Sequence, residues 1–259
     1  MKHVFNVLSP DQDWQAESLP HNVARTAKLI CNVNVSVVIP CLNEQAHIAA
    51  AIESAWAAGV LEVIVVDGGS NDDTPRIASE NSAQVVSCTP GRAVQMNAGA
   101  AKARGNVLLF LHADCRLPVD ARRQIADAFS KPEQIWGAFR QRIVAQGLIY
   151  RAIEWGNGAR VHWQGSAYGD QAIFVRRKTF DAVGGFDEVP LMEDVLLSRK
   201  LGKIARPQLL DGPIIVNARR WQRYGPIRQT LRNWWLMIRF RCGANPKRLA
   251  ELYRRHDSK

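Results

Sequence analysis

The sequence is short of cysteine, of long apolar runs and of acidic residues, and each shortage excludes a class of protein. Its five cysteines, Cys31, Cys41, Cys88, Cys115 and Cys242, are odd in number and scattered, with no CxxC pair. That pattern argues against a disulfide framework or a zinc site and for a reducing compartment. No uninterrupted apolar run approaches the roughly 20 residues of a membrane span. Asp11, Asp13 and Glu17 stand where a signal peptide needs an apolar stretch. The expected location is the cytoplasm, with at most a peripheral attachment to the membrane. Internal repeats and low-complexity linkers are missing too, and 47% hydrophobic residues over 259 positions is an ordinary globular composition. Acidic residues number 24 against 34 basic ones, a formal charge of +10 that calls for an anionic partner such as nucleotide phosphate, nucleic acid or lipid. The basic residues gather after Arg219 and no nucleic-acid motif is present, so nucleic acid is not expected.

What is there is an alternation of periodicities. Residues 1–32 are polar and aperiodic, broken by Pro10 and Pro20, and read as an N-terminal tail. A strand over Val33 to Ile39 closes at Pro40, and a helix over Gln45 to Ala58 ends at Gly59. A second strand runs from Leu61 to Asp67, followed by a helix from Thr74 to Asn81, a short strand from Gln84 to Ser87 and a helix from Arg92 to Arg104. This βαβαβαβ order predicts an α/β fold with a mainly parallel sheet and helices on both faces. Past Pro118 the pattern is mixed. Helices are expected over Val119 to Phe129, Leu148 to Arg160, a short stretch from Lys178, Met192 to Leu201 and Ile227 to Cys242. Extended segments are expected over Trp136 to Val144, Gln171 to Val175 and Ile214 to Asn217, with a basic tail at the end.

The centre of this order is Val107-Leu108-Leu109-Phe110-Leu111-His112-Ala113-Asp114. Five apolar residues end abruptly in a histidine and a carboxylate, as a buried strand does when it delivers polar groups to the carboxyl edge of a sheet, where ligands bind. Asp67 closes the second strand in the same way. A carboxylate there is costly unless it binds something, and it can accept a hydrogen bond from a nucleobase N–H. Gly68-Gly69-Ser70 makes a tight turn with exposed N–H groups, and Gly91-Arg92 opens a helix whose N-terminus suits an anion.

Three stretches together resemble glycosyltransferase family 2, the GT-A type nucleotide-diphosphosugar transferases. They are Pro40-Cys41-Leu42-Asn43-Glu44, the Asp67 to Thr74 loop, and Gly91-Arg92-Ala93-Val94-Gln95-Met96-Asn97-Ala98-Gly99. The resemblance runs from about Val35 to Trp221 and implies the GT-A, Rossmann-like fold. It implies that Pro40, Asn43, Glu44, Asp67, Gly68 and Ser70 line the nucleotide pocket, and that Arg92 and Asn97 reach the ribose or diphosphate. In the family the central strand ends in Asp-x-Asp, whose second aspartate binds Mn²⁺ or Mg²⁺. Here it reads His112-Ala113-Asp114, so the resemblance implies a metal at Asp114 with His112 in the ribose-side position. Gly184-Gly185-Phe186 followed by Glu193-Asp194 matches the family's acidic pair, with Asp194 as general base and Glu193 its neighbour. Asn217-Ala218-Arg219-Arg220-Trp221 is similar to the Gln-x-x-Arg-Trp motif of processive members. Together with Tyr168, Asp170 and Gln171, Arg220 and Trp221 are expected on the acceptor side. The His-Ala-Asp, Gly-Asp-Gln and Ala-Arg-Arg-Trp combination is most similar to a small soluble bacterial subgroup described as associated with radical-SAM and selenium-domain genes or with arsenosugar biosynthesis.

The expectation is therefore an inverting, non-processive glycosyltransferase that uses a UDP-, GDP- or dTDP-sugar and a small-molecule or lipid acceptor. A nucleotidyltransferase would carry a Gly-rich loop after the first strand, which Pro40 to Glu44 is not. The expected division is a tail at 1–32, a transferase domain at 33–221 with a nucleotide-sugar half (33–117) and an acceptor half (118–221), and a basic amphipathic helical segment at 222–259. Trp234, Trp235 and Ile238 among Arg228, Arg232, Arg239 and Arg241 fit either a helix lying on an anionic membrane or one packed on the domain.

Overall fold

The computed structural model describes residues 33–257, so the expected tail at 1–32 lies outside the described residues. One eight-stranded sheet runs through both expected halves in the order β3-β2-β1-β4-β7-β6-β8-β5. Its strands are β1 (Val35–Cys41), β2 (Glu62–Asp67), β3 (Gln84–Ser87), β4 (Val107–Phe110), β5 (Cys115–Arg116), β6 (Trp136–Ile143), β7 (Phe174–Arg176) and β8 (Gln208–Val216). β1 to β4 are mutually parallel, β7 is antiparallel to β4 and to β6, β8 is parallel to β6, and β5 is antiparallel to β8. Six strands thus point one way and β7 and β5 the other, a mainly parallel sheet as expected.

The unbroken apolar runs of β1, β2 and β4 follow from burial on both faces. Alternate residues go to different cores. Val35, Val37, Ile39, Val63, Val65 and Leu109 pack with α1 (Ile48–Ala57) and α4 (Ala121–Ala128). Val38, Ile64, Val66, Leu108 and Phe110 pack on the other face with α3 (Arg92–Lys102) and α7 (Glu193–Gly202). α3 sits so close that a Cβ on Gly99 would collide with the Val38 side chain, and this draws the helix's N-terminus up to the sheet edge.

The remaining helices are α2 (Thr74–Glu80), α5 (Leu148–Gln164), α6 (Arg177–Ala182), α8 (Arg219–Tyr224), α9 (Pro226–Arg241) and α10 (Pro246–Asp257). Several boundaries differ from the sequence reading. Pro40 does not close β1, which continues to Cys41; β4 ends at Phe110 opposite Val38, so the missing N–H of Pro40 falls beyond that ladder. Gln171 belongs to a 3-10 turn over Gly169–Gln171 ahead of β7, and the extended segment read at Ile214 begins at Gln208. The expected basic tail contains α10, announced by Asn245, whose Oδ1 accepts the Lys247 N–H beside Pro246 at the first helical position.

Candidate active site

The loops after β1 and β2 form one stitched rim. Asn43 sits at φ 55, where its backbone N–H reaches Ser70 Oγ (2.9 Å) and its Oδ1 accepts the Asn71 N–H (2.9 Å). The Glu44 N–H bonds Thr74 Oγ1 at 2.8 Å. Asp67 is buried at the end of β2 and accepts the N–H groups of Gly69 and Ser70 (3.0 Å each) and the Ser70 hydroxyl (2.5 Å). Its carboxylate therefore first holds its own loop. Beneath it, buried Gln95 donates to the carbonyls of Cys41 (2.7 Å) and Val66 (2.8 Å), and Gly68 packs against that amide.

His112 and Asp114 follow β4 at the same edge. With Cys115 they place ligand-type atoms within 4.8 Å of one another. Burial and the nearby Arg92 guanidinium push His112 down to about 3, so its ring is neutral, and Nε2 is buried without a partner. Burial disfavours the Asp114 carboxylate, but the guanidinium groups of Arg219 and Arg220 counter that and hold it below the usual range. Burial pushes the Cys115 thiol well up in the metal-free protein. The carboxylate and the neutral imidazole beside it fit a divalent ion that takes further oxygens from phosphate and water.

Arg219 is the residue the sequence reading passed over. One guanidinium nitrogen, Nη2, bonds Glu44 Oε1 at 2.6 Å and Asp114 Oδ2 at 3.0 Å, while Nη1 bonds Glu44 Oε2 at 2.9 Å. It ties the nucleotide-side rim to the metal-side carboxylate. The adjacent Arg220 turns the other way, donating to the Tyr253 hydroxyl at 2.9 Å.

A cavity opens from these residues toward the C-terminal half, walled by Tyr168, Asp170, Asp194 and Trp221 and closed by Leu191, Met192, Leu236 and Met237. Asp194 stands in the first turn of α7, its Oδ1 accepting the Val195 N–H and its Oδ2 the Gly169 N–H (2.7 Å each). Glu193 is buried and pairs with Arg92 Nη1 at 3.1 Å; burial raises its pKa against the pull of that guanidinium. Burial likewise raises Asp170. Arg160 lies 3.2 Å over the Tyr168 ring. Among the described residues, four buried polar atoms without a partner belong to residues lining this cavity: His112 Nε2, Asp170 Oδ1, Trp221 Nε1 and Gln229 Oε1. Such atoms are rare in folded chains and are satisfied by water, an ion or a polar ligand.

The cavity thus brings together Arg92, His112, Asp114, Tyr168, Asp170, Glu193, Asp194, Arg220 and Trp221. Pro40, Asn43, Glu44, Asp67, Gly68 and Ser70 belong to the rim outside the cavity lining, and Asn97 and Gln171 lie in neither. Asn97 lies outside the cavity lining: its Nδ2 donates to the Phe186 carbonyl (2.9 Å) and its Oδ1 accepts the Phe186 N–H (3.0 Å). It clamps the turn that leads to Asp194. Gln171 does not face an acceptor; it is fully buried, with its amide spent on Tyr168, Arg160 and Phe139. Gly169 was missed, and a Cβ there would lie 2.5 Å from His112 Nε2. Half of the apolar residues closing the cavity, Leu236 and Met237, come from α9, so the segment after residue 221 lines the cavity too.

The chain is similar in sequence and in fold to known proteins. The chain is 30% identical over 200 residues to the succinoglycan biosynthesis protein ExoA of Rhizobium meliloti, covering 64% of this chain and 57% of that protein. It is 24% identical over 213 residues to the beta-monoglucosyldiacylglycerol synthase of Synechocystis, covering 71% and 43%. The chain therefore spans about half the length of these relatives. In fold it is similar to the mannosyltransferase PcManGT from Pyrobaculum calidifontis, solved with GDP-Man and Mn²⁺, with a TM-score of 0.52, 20% identity, and coverage of 74% of this chain and 62% of that one. A family profile described as glycosyl transferase family 2 matches residues 36–186, more than half of the chain and every strand from β1 to β7, and to that family the chain belongs.

Proposed function

We propose that this chain transfers a sugar, with inversion and one unit at a time, from a nucleoside-diphosphate sugar to a hydroxyl or carboxyl group of a small or lipid acceptor. The observation that carries the reading is the shared cavity: Asp114, His112 and Asp194 line it together, and its lining residues carry unpartnered polar atoms.

The rim of Pro40, Asn43, Glu44, Asp67, Gly68 and Ser70 forms the nucleotide side, with the donor a UDP-, GDP- or dTDP-sugar. Asp114 and His112 would hold Mn²⁺ or Mg²⁺, which when bound supplies positive charge to the departing diphosphate. Arg220, turned toward Tyr253 in the cavity wall, adds a cation whose charge is felt at Asp114. Asp194 is the base. Its two backbone hydrogen bonds orient the carboxylate and leave each oxygen a second lone pair, with which it takes the proton of the attacking acceptor. Glu193, buried on Arg92, keeps the start of α7 fixed. Tyr168 and Asp170 meet the polar end of the acceptor, and Leu191, Met192, Leu236 and Met237 meet an apolar part. An amphipathic alcohol suits both, and the lipid acceptor named for the Synechocystis relative supports that class. Among the described residues no helix is long and apolar enough to cross a membrane. The proposed setting is the cytoplasm, with peripheral attachment to the membrane.

The test is a screen of nucleotide sugars for slow hydrolysis without acceptor, together with thermal shifts by UDP and GDP in Mn²⁺. Saturation at 100 times Kd adds about 2.7 kcal/mol of apparent stability, enough to see. Absence of stabilisation by any nucleoside diphosphate with either metal would end this reading.

A further inference from the structure

α9 has two apolar sides. Its inner side packs Leu236, Met237 and Phe240 on Met192, Val195 and Leu249. Its outer side carries Ile227, Leu231, Trp234 and Ile238, spaced i, i+4, i+7 and i+11 and each more than half exposed. A helix packed only on its own domain has no use for that second stripe. α5 repeats the spacing. Leu148, Ala152 and Trp155 fall at i, i+4 and i+7, and Trp163 continues the stripe; the two tryptophans are at least 66% exposed, with ring centroids 6.0 Å apart. The two helices meet at their C-terminal ends, where Arg241 Nη2 donates to Gln164 Oε1 at 2.6 Å and Trp163 and Arg241 line one groove.

The charge around the α9 stripe is of one sign, and the one acidic residue of α5, Glu154, is paired with Arg142 and Arg151. From Asn217 to Ala250 the sequence holds nine basic residues and no acidic one. Arg228, Arg239 and Arg241 are exposed on α9, and Arg239 stacks on Trp235 at 5.1 Å. A second copy of the chain would be a poor occupant. Two-fold pairing lays the same patch against itself, arginine facing arginine. Tryptophan beside arginine over an exposed apolar stripe is instead the chemistry of a helix at the headgroup level of an anionic bilayer.

We propose that α5 and α9 together form a docking face for an anionic lipid bilayer. α9 is then a partition with lipid on one side and, through Leu236 and Met237, the acceptor cavity on the other. An amphipathic acceptor reaches the cavity from the membrane plane without crossing bulk water. The docking face stands on its own geometry, and only this delivery of acceptor rests on the transferase reading.

The experiment uses the full chain with phosphatidylcholine vesicles, with and without phosphatidylglycerol, in a sedimentation assay. Binding is expected to the phosphatidylglycerol vesicles at low salt, and to fall as salt shortens the roughly 10 Å screening length found at 0.1 M. The paired changes Trp155→Ser with Trp163→Ser on α5, and Trp234→Ser with Ile238→Ser on α9, should each weaken partitioning by about tenfold or more. Being on exposed side chains outside the cavity, both pairs should keep the parent melting temperature and its shift by UDP and Mn²⁺. Failure of the parent to bind phosphatidylglycerol vesicles at low salt overturns the proposal. So does an α5 pair that binds like the parent, or self-association abolished by the same changes in a protein that ignores vesicles. Vesicle binding without any nucleotide response would leave the docking face standing and remove the transferase reading instead.

Discussion

Arg219 lies 3.0 Å from the carboxylate of Asp114, the residue proposed to hold the metal, and the same nitrogen lies 2.6 Å from Glu44. A guanidinium is therefore serving as counter-ion to two carboxylates that a divalent cation would also attract. Removing it leaves them unneutralised, so Arg219→Gln should bind Mn²⁺ more tightly in the absence of nucleotide, by severalfold in an electron paramagnetic resonance titration of free Mn²⁺. Asp114→Asn should lose metal-dependent UDP or GDP binding altogether. Weaker Mn²⁺ binding by Arg219→Gln would show that Arg219 supports the metal site and does not compete with it.

Asp194→Asn should lower kcat by about 10²- to 10⁴-fold, the usual worth of a general base, with little change in donor binding. Asparagine keeps one acceptor oxygen but cannot take the acceptor's proton. Near-normal kcat, or a product whose anomeric configuration matches the donor's, would remove Asp194 from the role.

Gly169→Ala places a methyl 2.5 Å from His112 Nε2, so the ring or the loop that carries Gly169 must shift. Overpacking of this kind costs about 1 to 3 kcal/mol. The expected result is a lower melting temperature together with weaker metal and nucleotide binding, because His112 and Gly169 both line the cavity. A variant with unchanged Mn²⁺ affinity would show that His112 does not contribute to it.

His112 also gives the metal-free protein a pH dependence. Burial holds the folded imidazole near 3, whereas an unfolded one titrates near 6.5. Between those values the unfolded chain takes up a proton that the native state refuses, so stability is full above about 6.5 and is lost as pH falls. The slope is at most about 1.4 kcal/mol per pH unit. Urea melts in EDTA should show His112→Gln losing less stability than the parent between about pH 6 and 4. Equal slopes would mean the native ring is protonated.

Most of the fold was legible because β1, β2 and β4 are buried on both faces, which writes them as unbroken apolar runs. Asp114 and Asp194 were legible through motifs whose spacing places them at strand and helix ends. Asn97 and Gln171 fall outside the cavity, which the sequence does not tell, because an amide reads the same whether it meets a ligand or a backbone. The partner that decides the matter for Asn97, Phe186, is 89 residues away. Arg219 was hidden beside Arg220, since two adjacent arginines at the start of a helix differ only in the direction each one points. α10 carried a signal in Asn245-Pro246 that the density of basic residues masked.

The place of β7 in the sheet has a consequence for how the chain is made. β4 is flanked by β1 and β7, and β7 follows Phe110 by 64 positions, from 110 to 174. At about 5 to 20 residues per second, the ribosome delivers β7 on the order of 3 to 13 s after β4. Throughout that interval Val107-Leu108-Leu109-Phe110 presents an unpaired, wholly apolar strand edge, open to pairing with any other nascent chain. The yield of soluble protein should therefore depend on translation speed between residues 110 and 174, and on chaperones that shelter that edge, more than on the stability of the finished fold.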